Sequence, residues 1–123
     1  MSAVQTVAVL GASNNPERYS NMADRRLRDA GHHVIPVNPA LSEFEGLPVA
    51  KSLGEIKEPV DTLTLYVGPQ RLAALTDEIL RLAPKRVIFN PGTESPELAA
   101  ALDRAGITHL EACTLVMLQT GQF

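Results

Sequence analysis

The sequence predicts a three-layer α/β domain, a mainly parallel sheet doubly wound with helices on both faces, and three observations carry that expectation. Short apolar and β-branched runs recur at Thr6–Leu10, His33–Val37, Asp61–Val67 and Arg86–Phe89. Segments with helical spacing of apolar residues separate them. The joints between the two are marked by glycine, proline and short polar residues, with no repeat, low-complexity tract or internal linker. Strands that alternate with helices imply parallel pairing through right-handed crossovers.

Taken in order, the first strand covers residues 5–10 and stops at Gly11. A polar loop, Ala12-Ser13-Asn14-Asn15-Pro16-Glu17-Arg18, leads through Tyr19 and Ser20 into a helix expected over residues 21–30. Ser20 or Asn21 is its expected cap. Met22, Ala23, Leu27 and Ala30 supply its apolar stripe, and Gly31 its stop. His33–Val37 is the second strand, and its Pro36 argues against a central place in the sheet because proline donates no ladder bond. Residues 39–47 read as loop, residues 48–50 as a short edge strand, and Ser52 to Ile56 as one helical turn. Residues 61–67 form the next strand. Pro69, tolerated in a first turn, opens a helix in which Leu72, Leu75, Ile79 and Leu82 make the clearest stripe, ended by Pro84. After the strand Arg86–Phe89, Ser95-Pro96-Glu97 combines a cap, an N1 proline and a first-turn acid. Leu98, Leu102 and Ala105 are expected to face inward before Gly106 stops that helix. Residues 107–111 are a last strand, and residues 114–120 a terminal helix or coil. The whole of residues 1–123 reads as a single Rossmann-like domain, with the 48–50 strand at one edge.

Composition narrows the function classes. The 123-residue chain is 45% hydrophobic and 20% charged, the balance of a soluble globular domain able to bury one core. A formal net charge of -3 offers no electrostatic footprint for nucleic acid. No apolar run approaches the roughly 20 residues that span a bilayer. Met1-Ser2-Ala3-Val4-Gln5 lacks the basic and apolar regions of a secretory leader, and the single cysteine, Cys113, suits a reducing compartment. A cytoplasmic location, with no membrane or nucleic-acid partner, is the expectation.

In doubly wound sheets ligands bind outside the carboxyl ends of the strands. Those ends here are Gly11-Ala12-Ser13, Asn38-Pro39, Val67-Gly68-Pro69 and Asn90-Pro91-Gly92. Each is also what an ordinary turn uses, but their convergence on one rim favours a site. The glycines would admit a ligand close to the backbone, and Ser13 and Asn38 offer side-chain hydrogen bonds. A strand, a glycine loop and a helix N-terminus in that order make a phosphate site, with Arg18 and Tyr19 in the loop. Arg25, Arg26 and Arg28 are read instead as a solvated helix face with Asp24 and Asp29. The opening loop lacks the later glycines of G-x-G-x-x-G, and Val37-Asn38-Pro39 stands where an NAD site wants an acid. No G-K-[ST] of a P-loop occurs. A small NAD(P)- or other nucleotide-dependent enzyme is therefore the second reading.

The ordered motifs Val7-Ala8-Val9-Leu10-Gly11-Ala12-Ser13, Pro16-Glu17-Arg18 and Val34-Ile35-Pro36-Val37-Asn38-Pro39 resemble the small CoA-binding domain proteins. Those are similar in turn to the N-terminal CoA-binding domain of the succinyl-CoA synthetase α subunit and of acyl-CoA synthetases. Pro59-Val60-Asp61, Gly92, Ala105-Gly106-Ile107 and Cys113 extend the resemblance over residues 5–113. It implies a Rossmann-like domain that binds coenzyme A or an acyl-CoA, with the pyrophosphate over the first loop. Gly11, Ala12, Ser13 and Arg18 would then face phosphates, Asn38 and Pro39 the adenosine end, and Val67, Gly68 and Pro69 the pantetheine arm. Tyr19, Asn90 and Gly92 complete the candidate set. Many relatives carry a tryptophan-glutamine pair where this chain has Phe89-Asn90, so the resemblance does not specify the ligand's thiol end.

Candidate catalytic residues are few. Cys113 is a packing residue or, in the sharper reading, a thiol within reach of the pantetheine sulfur. His32 and His33 would point to opposite faces of a strand, unsuited to one metal, and are read as solvent or strand-edge side chains. His109 has no evident partner. Glu94 and Glu97 are explained by the helix start, and neither G-x-S-x-G nor H-E-x-x-H occurs. The related synthetases carry a phosphohistidine and grasp machinery elsewhere. The expectation is a binding or regulatory module without chemistry of its own, self-associating or serving a separate partner chain.

Overall fold

Residues 4–44 and 46–123 are described by the structure, a computed structural model. The N-terminal residues 1–3, read above for a leader, and residue 45 of the expected 39–47 loop lie outside that description. In chain order the elements are β1 (Thr6–Leu10), α1 (Tyr19–Asp29), β2 (His33–Val37), β3 (Glu43–Phe44), β4 (Leu47–Pro48), β5 (Thr62–Leu65), α2 (Pro69–Leu82), β6 (Arg86–Phe89), α3 (Pro96–Ala105), β7 (Thr108–Glu111) and α4 (Thr114–Gln119). A 3-10 turn at Leu53–Glu55 precedes β5. The main sheet runs β2-β1-β5-β6-β7, and every pairing in it is parallel. Pro36 sits in the edge strand β2, as its missing N–H requires.

Alternation along the strands sorts the two cores. Ala8, Leu10, Leu63 and Leu65 face α2 and α3, where Leu72, Ile79, Leu98 and Leu102 are buried. Val7 and Val9 face the opposite side with Leu27 of α1 and Leu118 of α4. The threonines of β5 also point that way and are fully buried. Thr64 Oγ1 and Thr114 Oγ1 lie 2.8 Å apart, and Thr62 donates to Gln5 Oε1 at 2.6 Å, so neither hydroxyl is left unpaired.

Several local expectations change. Helix α1 starts at Tyr19, so Ser20 and Asn21 lie inside its first turn and neither caps it. Asp24 is buried rather than solvated and accepts from Arg28 Nε at 2.7 Å, four residues on. Ala105 is exposed, and Ala101 takes the inward place between Leu98 and Leu102. The 39–47 loop contains β3, which pairs antiparallel with β4 in a separate ribbon. The expected 48–50 edge strand reduces to Pro48 in that ribbon and one parallel bridge from Ala50 to Val37. The Ser95 cap forms as expected, its Oγ accepting from Leu98 N at 3.2 Å.

A set of polar contacts closes the N-terminal rim of the sheet. Gln5 N donates to His32 Nδ1 at 3.0 Å, and Thr6 N to Asp61 Oδ2 at 2.8 Å. Lys85 Nζ lies 3.1 Å from Asp61 Oδ1. Arg86 donates to Thr62 Oγ1 at 2.8 Å and stacks over Phe123, whose ring also meets His32. His32 is thus a buried bracing side chain, not a solvent histidine, while exposed His33 pairs with Glu58 at 2.7 Å. His109 finds a partner in Asp103 at 2.7 Å.

Candidate functional site

The carboxyl ends of β2, β1, β5 and β6 open onto a cleft of about 710 Å³ at the opposite rim. Its floor is the loop after β1. Gly11 has φ +93°, and a Cβ there would lie 2.9 Å from Tyr66 O, so only glycine lets the two strand ends approach. The amides of Gly11 and Ala12 both donate to Val37 O, at 3.0 and 3.1 Å, and tie the loop to β2. Asn38 Nδ2 donates to Ala12 O at 2.7 Å and Asn21 Nδ2 to Ser13 O at 2.8 Å. Within the loop, Ser13 Oγ accepts from Asn15 N and Asn15 Oδ1 from Glu17 N, each at 3.0 Å. The phosphate loop of the sequence reading is a braced turn.

That bracing delivers an open helix end. Arg18 occupies the N-cap position of α1 with extended dihedrals and makes no side-chain cap, and the first turn holds no acid. The amides of Asn21 and Met22 turn back to Arg18 O at 3.1 and 3.2 Å. Among the described residues no acceptor serves the amides of Tyr19 and Ser20. Two free N–H groups, the positive end of the helix dipole and the exposed Arg18 side chain therefore border the cleft together.

The cleft brings together Gly11, Ala12, Ser13, Arg18, Tyr19, Asn38, Pro39, Val67, Gly68 and Gly92. It leaves Pro69, Asn90 and Cys113 outside its lining. Asn90 is 2% exposed and fully engaged: its Nδ2 donates to Thr64 Oγ1 and Leu65 O at 2.6 and 2.8 Å, and its Oδ1 accepts from Thr114 N at 2.9 Å. It joins β5, β6 and α4 and has no face for a ligand. Pro69 opens α2 at N1. Cys113 holds the N-cap position of α4, half-buried.

Sequence reasoning missed Ser20, Lys51, Tyr66, Arg71 and Thr93, which also line the cleft. Tyr66 follows β5 directly, and burial pushes its hydroxyl up to about 12, so it stays protonated. Thr93 is buried, and its hydroxyl donates to Asn90 O at 2.8 Å, fixing the turn that carries Gly92. No local pattern marks Lys51 or Arg71 as a cleft residue; each reaches the lining through tertiary packing. No group of three or more potential metal ligands occurs among the described residues. None of their helices is long and apolar enough to cross a membrane.

Comparison with known proteins places this geometry. The uncharacterized protein YneT of Bacillus subtilis is 36% identical over 74 residues, 60% of this chain and 55% of that protein. The chain thus spans about half the length of that relative. The α subunit of ADP-forming acetate–CoA ligase II from Pyrococcus furiosus is 35% identical over 71 residues, 57% of this chain but 15% of the subunit. A crystal structure of an uncharacterized protein superposes with a TM-score of 0.93 at 43% identity, covering 99% of this chain and 100% of the other. A family model described as CoA binding domain matches residues 5–119, from the residue before β1 to the end of α4. By that match, which takes in every strand end of the cleft, the chain belongs to the CoA binding domain family.

Proposed function

We propose that this protein binds coenzyme A or an acyl-CoA along the rim cleft, with the pyrophosphate at the start of α1, and acts as a binding or regulatory module. The observation that carries the reading is the uncapped α1 terminus. Helix ends normally satisfy their first amides with a side chain, whereas here Tyr19 and Ser20 keep theirs for an incoming acceptor. A phosphate oxygen is such an acceptor, and Arg18 adds a charge-assisted donor. Ala12 and Ser13 supply a small, closely approachable floor, Asn38 and Pro39 the wall toward the adenosine end, and Val67 and Gly68 the path of the pantetheine arm.

A module without its own chemistry agrees with where the perturbed titratable groups sit. His32, Asp61 and Arg86 brace the far rim, and Tyr66 at the cleft is held in its neutral form. The test is thermal stabilisation against CoA, acetyl-CoA, NAD, NADP and ATP. At about 100 times Kd a ligand adds about 2.7 kcal/mol, a shift of several degrees for a domain of this size. CoA and acetyl-CoA are expected to give it. A shift with NAD and none with CoA would overturn the reading in favour of a dinucleotide-dependent enzyme.

A further inference from the structure

The two edges of the main sheet are finished differently. At β2 the edge is covered: Pro36 has no N–H to offer, its carbonyl accepts from Ala50 N at 2.9 Å, and Asn38 N donates to Ala50 O at 2.9 Å. β7, at the other edge, carries no proline, no lysine and no bulge. Ala112 N donates to Phe89 O at 3.1 Å, so along the parallel ladder Thr108 and Leu110 also turn their backbone groups towards β6. The N–H and C=O groups of His109 and Glu111 therefore point away from the sheet, and no hydrogen bond from another described segment reaches them. Side chains alternate too. His109 and Glu111 stand on the α2–α3 face, where His109 meets the Phe89 ring edge-on and its Nε2 lies 2.7 Å from Asp103 Oδ1. Nδ1 of that ring has no partner among the described residues, and neither has the exposed Glu111 carboxylate. Half-buried Leu110 stands on the opposite face.

We propose that the β7 edge pairs with a second copy of this chain, antiparallel about a two-fold axis through Leu110, so that the two main sheets join edge to edge. Antiparallel partners share a face, so such an axis must pass through a residue. Through His109 it would set histidine against histidine, and through Glu111 carboxylate against carboxylate, a like-charge pair. Through Thr108 it would carry Glu111 past the end of the facing strand. Through Leu110 the strand is self-complementary. His109 of each copy faces Glu111 of the other, which gives the free Nδ1 a carboxylate and forms hydrogen-bonded pairs from the backbone groups that point outwards. Leu110, whose own backbone groups are used within the sheet, meets its copy at the close, non-hydrogen-bonded position, apolar against apolar. Ala99 and Ala100, on the same side of α3 as Asp103, are small and leave room for the second α3. No β7 residue lines the cleft, so both clefts stay open. Pairing of one short strand is a small contact, and dimers of that kind are weak and concentration-dependent.

Sedimentation measured from about 10 µM to about 1 mM protein tests the association, a range that suits a contact at the low end of interface size. The mass is expected to rise from 13.2 kDa towards twice that value as concentration increases. Glu111→Lys, an exposed change that sets a cation opposite His109, should weaken the dimer at least about tenfold, with an unchanged melting temperature showing that the fold is kept. Cross-linking reads the register. In a Cys113→Ser background, Leu110→Cys places two thiols on the axis with Cα atoms about 4.5 Å apart, within disulfide range. Thr108→Cys places them about 13 Å apart along the strands. With oxidised glutathione, Leu110→Cys should give a covalent dimer and Thr108→Cys should not. A monomer throughout the range overturns the proposal, as does a dimer that Glu111→Lys leaves intact. A dimer in which Leu110→Cys fails to cross-link, or cross-links no faster than Thr108→Cys, overturns it as well.

Discussion

An alanine at Gly11 would carry its Cβ to 2.9 Å from Tyr66 O and 3.0 Å from Val67 Cγ1, at a backbone φ of +93°. The first contact is with backbone, so the strand ends themselves would have to separate. Gly31 provides the control, because its φ of +92° is equally left-handed but nothing lies within 4 Å of the added carbon. Gly31→Ala is expected to cost about 1 kcal/mol, the conformational penalty alone. Gly11→Ala should cost about 2–4 kcal/mol, the penalty plus the forced displacement. Urea denaturation of the pair measures the difference, and equal losses would show that the close approach of β1 and β5 carries no energetic weight. At this scale sequence and structure part company over side chains of one type. Asn38 and Asn90 both follow a strand and both look like ligand donors. In the fold Asn38 holds the cleft floor through Ala12 O, while Asn90 is turned inward to three partners on β5 and α4. Nothing in the local sequence tells an asparagine at a rim which way its neighbours leave it room to point.

Helix α1 is the element whose stability and function pull in opposite directions. An N-cap acceptor at position 18 would satisfy the free amides from within the chain, and Arg18 already has the extended dihedrals that a cap requires. Arg18→Asp is therefore expected to stabilise the unliganded protein by about 1 kcal/mol. The same change should weaken CoA binding by about tenfold or more, since it fills the acceptor place and reverses the charge. Melting curves with and without CoA test both halves, and a variant that gains neither stability nor loses affinity would remove the open helix end from the site. The sequence was legible here in type but not in boundary. The strand, glycine loop and helix were readable from Thr6 to Asp29, yet Ser20 and Asn21, strong capping residues, drew the expected start two residues too late. Capping preference describes helices that close their own ends, and this one leaves its end to the solvent side of a cleft. The wall residues Lys51 and Arg71 were illegible for another reason. They line one cleft only because the 3-10 turn that follows Lys51 packs on α2, a tertiary contact that no local pattern encodes.

Across the whole molecule the two rims of one parallel sheet carry different chemistry. The carboxyl rim gathers glycine, small polar side chains and open donors, which the alternation of strands and helices made predictable. The amino rim is a stability device that sequence could not reveal, because it joins Gln5, His32, Asp61, Lys85, Arg86 and Phe123 from separate elements. Its consequence is a pH dependence of folding. Burial, then the Arg86 charge, lowers the pKa of His32 below its ordinary 6.5. Protonation would also destroy the acceptor that holds Gln5 N. A lowered histidine pKa means that the unfolded chain takes up the proton first, so stability is full above 6.5 and falls as pH drops through the window below it. The hydrogen bond from Thr6 N and the Lys85 partner lower the pKa of Asp61 below 3.8, so its contribution is present above 3.8 and is lost only in a second, more acid step. His32→Gln keeps an acceptor for Gln5 N and removes the titration. Urea midpoints taken at about pH 7.5, 5.5 and 2.5 should show the wild type losing stability in both intervals and the variant only in the second. CoA affinity of the folded protein at the upper pH should be the same for both, since His32 lies at the rim away from the cleft. A wild type and variant with parallel pH profiles would mean that His32 does not brace the amino rim, and a change in CoA affinity would mean that the two rims are coupled through the sheet.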